Sequence, residues 1–210
     1  TAPDFDKHYL PSRLINSWRQ GGDFHFVHLT FQEYLIALHI AKHSFDEVKA
    51  YLFNPYWKMV FRFLAGIYSK QTDHQNLKTL LTTLLSPLDK MGLLYLEAAR
   101  FLIEANIEDS TALLGYDLRD KLWELWVGNA DYAKESSGEI LAILSPAYIL
   151  NKIFTLHQHW EQAQKDYQAW RPIGLLGFIH NAEADALILH FLQAEEQTVK
   201  GMTFVALAEK

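Results

Sequence analysis

The chain has 210 residues, half of them hydrophobic and 14% aromatic, with no cysteine and a formal net charge of −6. That apolar content excludes a disordered tail, and the acidic balance argues against a nucleic-acid-binding surface. Without cysteine there are no disulfides or thiolate metal sites, which fits a reducing, cytoplasmic setting, and no apolar run reaches the roughly 18 residues that a membrane span needs.

The N-terminus, Thr1-Ala2-Pro3-Asp4, has neither the basic nor the apolar region of a signal peptide. It also lacks an initiator Met, as in an excised fragment or a processed chain. Six prolines and ten glycines punctuate the sequence. Apolar spacings of three and four dominate between them, so the fold is expected to be all-α. Leu10 to Gln20 predicts a helix that ends at Gly21-Gly22. Asp23 to His28 alternates polar and apolar residues, which predicts one short strand near the N-terminus. A helix is expected from Thr30 to Lys42. Thr30 and Glu33 have the spacing of a capping box, in which a hydroxyl and a carboxylate satisfy the first free amides of a helix. Phe31, Tyr34, Leu35, Leu38 and Ala41 form one stripe of this helix. Ile36, Ala37 and Ile40 widen the stripe, so burial on most sides is expected, with Phe31 in the core.

Phe45 to Phe53 reads as a short helix, broken at Asn54-Pro55. Tyr56 to Ser69 is an aromatic-rich helix. His74 to Leu85 carries five leucines at helical spacing and ends at Ser86-Pro87. From residue 91 the texture changes. Met91 to Ala105 is a helix, the loop 106–110 supplies Asp109 and Ser110 as natural N-caps, and a further helix ends near Trp126. Glu139 to Leu156 is helical, although Pro146 must kink or split it. His159 to Trp170 is expected to be another helix. Ile173 to Ile179, the break His180-Asn181, Ala182 to Leu192, the acidic turn Glu195-Glu196 and Thr198 to Ala208 then follow one another.

Two of these passages carry a resemblance. Phe26-Val27-His28-Leu29-Thr30-Phe31-Gln32-Glu33-Tyr34-Leu35 reads F-x-H-x-T-F-Q-E-Y-L. It resembles the junction at the end of the winged-helix domain in NACHT-family signalling NTPases, the STAND class. The family pattern continues with a pair of small residues, of which Leu35-Ile36-Ala37 keeps half. The block from Ile173 to Ala208 is similar to a HEAT-type repeat, and 94–126 has the same helix–break–helix shape more loosely. Such pairs recur every ~40–47 residues and bury their apolar faces only by stacking.

The resemblance implies three regions: 1–29 as the end of a winged-helix domain, 30–88 as a helical bundle domain, and 91–210 as HEAT-like solenoid helix pairs. It implies a chain that is not itself an enzyme and binds no cofactor. In a parent protein, ADP or ATP with Mg would occupy an N-terminal NACHT domain, which would be a partner of this region. Self-oligomerisation and a sensed ligand or protein would complete the switch. His28 would contact the β-phosphate of ADP and hold the closed state. Phe26, Thr30, Phe31, Gln32, Glu33 and Tyr34 would be structural members of the motif. The chain itself has no G-x-x-x-x-G-K-[ST] loop to cradle phosphates.

Other candidates read more simply as structure. Gln32 and Glu33 look like a catalytic pair, but capping and packing account for both. His39, His43 and Glu47 are four residues apart, a metal-ligand spacing that lacks the H-E-x-x-H base, so a solvated face is expected. His157 and His159 point in different directions. Trp123 and Trp126 fit a core, and Asp117, Asp120, Glu124, Asp131, Glu135 and Glu139 fit a solvated acidic face. Two further functions compete with the NACHT reading: a stand-alone α-solenoid adaptor, and an enzyme on a helical scaffold, for which no nucleophile–base pair is present.

Overall fold

A computed structural model describes residues 15–17, 24–26, 29–89, 91–128, 131–158, 167–195 and 197–210; of 15–28, 131–135 and 157–170 it describes the backbone at most. The fold is all-α apart from one small ladder. Strands β1 (Ile15–Ser17) and β2 (Phe24–Phe26) pair antiparallel, with Ile15 opposite Phe26. Residues 15–17 are therefore strand, where helical spacing predicts a helix.

Helix α1 (Leu29–Lys42) follows β2 after two residues. Three short 3-10 turns at Phe45–Glu47, Lys49–Tyr51 and Pro55–Trp57 replace the expected helix over 45–53. Ser44 and Asn54 accept the first free amides of two of these turns, so short polar caps compete with helix propagation. Helices α2 (Lys58–Tyr68) and α3 (Gln75–Leu84) come next. Helix α4 (Leu93–Ala105) starts at Gly92, whose φ of +74° suits glycine. Asp89 accepts the amides of Leu93, Leu94 and Tyr95 there, so the positive end of the helix already holds a carboxylate of its own chain.

The helix expected up to Trp126 is two pieces, α5 (Thr111–Leu114) and α6 (Leu118–Val127), divided at Gly115 with φ +80°. Pro146 splits the next segment into α7 (Asp131–Leu144) and α8 (Pro146–Gln158), bent by 107°. Residues 159–166 lie outside the described residues, and 167–178 is a 3-10 segment, Tyr167–Phe178, that contains Pro172. Helices α9 (Ala182–Leu192) and α10 (Gln197–Ala208) close the chain.

Each element packs chiefly on near neighbours. Helix α1 lies on α2, α2 on α4, α4 on α6 and α7, and α6 on α7. The 3-10 segment touches α6, α7 and α8, and also α9 and α10. A continuous apolar core runs through the stack from Ala37 and Ile40 to Val199 and Ala206. Among the described residues no single helix is long and apolar enough to cross a membrane. The bent pair α7–α8 has a matching composition, but Ile140, Leu141, Leu144, Ile149 and Ile153 spend it on this core.

Candidate functional site

The motif residues occupy the step from β2 into α1. Phe26 ends β2, and His28 lies outside the described residues. Thr30 is the second residue of α1, so it stands inside the first turn and is not the N-cap that the capping-box spacing predicts. The predicted stripe is rotated as well. Ala37 and Ile40 are buried, with Ile36 and Ala41 packed beside them, whereas Phe31 is 45% and Tyr34 42% exposed. Thr30 and Gln32 are exposed, and Glu33, Leu35 and Leu38 are half-buried. The helix carries apolar residues on every side, so periodicity alone does not select the inward face. Tyr34 meets the Phe63 ring edge-on at 5.7 Å, which ties the outer side of α1 to α2.

Among the described residues, His39, His43 and Glu47 do not assemble a metal site. His39 and His43 stack at 4.1 Å, and the Nδ1 of His43 is 2.8 Å from the His39 carbonyl. Among the described residues no group of three His, Cys, Asp or Glu side chains could hold a metal ion. The side chain of His157 and all of His159 lie outside the described residues.

Two polar assemblies were not anticipated. In the first, Glu97 of α4 accepts a two-pronged bond from Arg62 of α2, at 2.9 and 3.1 Å. Arg100 at 3.1 Å and Lys58 at 3.2 Å share its second oxygen. Burial pushes the Glu97 carboxyl upward, but the hydrogen bonds and charges of Arg62 and Lys58 outweigh it and hold the pKa below the usual carboxylate value.

The second assembly surrounds the break at Ser145, which is buried. Arg119 of α6 grips Asp117 through Nε and Nη2 at 2.9–3.0 Å, and its Nη1 is 3.4 Å from the Ser145 hydroxyl. Ser145 donates in turn to Glu108 at 2.8 Å. Tyr148 donates to Asp120, which also receives Lys152 at 3.0 Å. Arg119 and Lys152 lie over the Tyr148 ring at 5.1 and 5.2 Å. The hydrogen bonds from Tyr148 and Lys152 lower the Asp120 pKa. Burial, and then the Asp120 bond and charge, raise that of Tyr148. The Asp117 hydrogen bond raises that of Arg119. Asp117 and Asp120, expected on a solvated face, are thus engaged, while Glu124 is exposed and pairs with Lys121 at 2.8 Å.

This network forms one wall of an open groove of about 720 Å³ between α6 and α8, lined by Glu108, Arg119, Trp123, Tyr148, Asn151 and Lys152 among others. A second groove of about 440 Å³ lies between α8 and α9, with Phe154, Glu183 and Leu187 in its walls. Asn151 lines both, so α8 is the ridge between them. The one signal of this surface in the sequence is Ser145-Pro146, the helix break on which the network is built.

No family model, no curated protein and no solved structure matches this chain.

Proposed function

We propose that this chain is the non-catalytic, sensor-side helical region of a NACHT-type STAND NTPase, holding the closed state and passing ligand sensing to the nucleotide switch in immune or antiphage-type signalling. One observation carries this reading. The string Phe26 to Leu35 spans a junction at which a paired strand leads, after two residues, into the first helix of an all-α array. A winged-helix domain that ends in a strand pair and hands over to a helical domain has this order. The exposed side of α1, with Leu29, Phe31 and Tyr34, is a surface that the NACHT domain of the same protein would cover. His28 would donate a hydrogen bond to an ADP phosphate, a charge-assisted contact made in the closed state alone.

The test uses the full-length parent. Losing a hydrogen bond to a charged group costs about 1.5–3 kcal/mol, so His28→Ala should speed ADP release roughly 10- to 150-fold. Equal off-rates would reduce His28 to a packing residue. For the chain by itself, calorimetry with Mg·ATP should show no binding, because the phosphate-cradling loop is missing from its sequence. Sub-millimolar affinity would sink the reading.

A second reading is a stand-alone α-solenoid adaptor. The paired grooves beside α8 favour it, because they need no nucleotide switch. A P-loop upstream in the same reading frame decides for the NTPase, and its absence decides for the adaptor.

A further inference from the structure

We draw no further inference here: the strongest candidate, the exposed apolar surface of α9 and α10 that carries Leu189, Phe204, Val205 and Leu207, is an unpartnered helix face, and nothing in the structure shows what covers it.

Discussion

Glu97 shows how one side chain fastens two helices. Its carboxylate is only 16% exposed and is shared by three cations. Removing the charge in Glu97→Gln leaves Arg62 partly buried and poorly matched, and should cost about 2 kcal/mol by urea unfolding. The pH dependence follows from the depressed pKa. A carboxyl that is more acidic when folded adds stability above its unfolded value of about 4.3 and loses it as pH falls through the folded value. The gap in urea midpoint between wild type and Glu97→Gln should therefore be full at pH 7 and close below about pH 4. A gap that is constant with pH would show that the cost is not electrostatic. The same scale separates two phenylalanines. Phe61 is fully buried, so Phe61→Ala should cost about 3–5 kcal/mol, whereas Phe31, at 45% exposure, should cost well under half of that. Equal losses would place Phe31 back in the core that its sequence stripe suggests.

At the scale of elements, close backbone approach decides where small residues are required. A Cβ on Gly177 would stand 2.6 Å from the Ala206 carbonyl oxygen, so the 3-10 segment and α10 touch through main chain. Gly201, in the same helix α10, has nothing within 4 Å. Gly177→Ala should lower stability by about 1–3 kcal/mol through overpacking, and Gly201→Ala should raise it by roughly 0.4–1 kcal/mol by stiffening the unfolded chain. Thermal melts of the two variants should move in opposite directions; a shared direction would mean that α10 does not sit against Gly177 as described. This contrast also shows what was legible in the sequence. Gly174 and Gly177 mark 173–179 as a small-residue element, and Pro146 marks the split between α7 and α8, because both residue types limit the backbone locally. The break at 180–181 and helices α9 and α10 follow their apolar spacing and the Asn181 cap. The 3-10 winding of 167–178, the strand at 15–17 and the inward face of α1 were not legible. Each is settled by a partner outside its own segment. The groove at α8 was hidden for the same reason, since Glu108, Arg119, Ser145 and Tyr148 meet only when three elements pack.

Across the whole molecule, the array joins its C-terminal block through one main contact zone. Helices α9 and α10 pack chiefly on each other and on the 3-10 segment, which alone among these three makes broad contact with α6, α7 and α8. Trp126 stands at the centre of that zone. Its indole N–H donates to the Arg171 carbonyl at 3.1 Å, and its ring meets Phe178 edge-on at 5.7 Å. Gly138 and Gly174 leave room for it, since a Cβ at either would approach the ring within 2.7 and 3.3 Å. Arg171 answers by donating to the carbonyls of Val127 and Gly128 at 3.2 and 2.9 Å. In a stack whose members touch mainly their neighbours, stability is close to a sum of local units and the interfaces between them. Trp126→Ala removes about 3–5 kcal/mol from one interface, more than enough to raise local opening beyond it at least a hundredfold. Hydrogen exchange should therefore speed up by that order across the 3-10 segment, α9 and α10, while α1 to α3 change by less than about threefold. The continuous core argues the other way, because an unbroken apolar cluster can carry the loss to the far end. A uniform rise in exchange from α1 to α10 would show that the core wins and that the array unfolds as one cooperative unit. A rise confined to the C-terminal block would show a second, separable unit, able to loosen while the α1 junction stays folded.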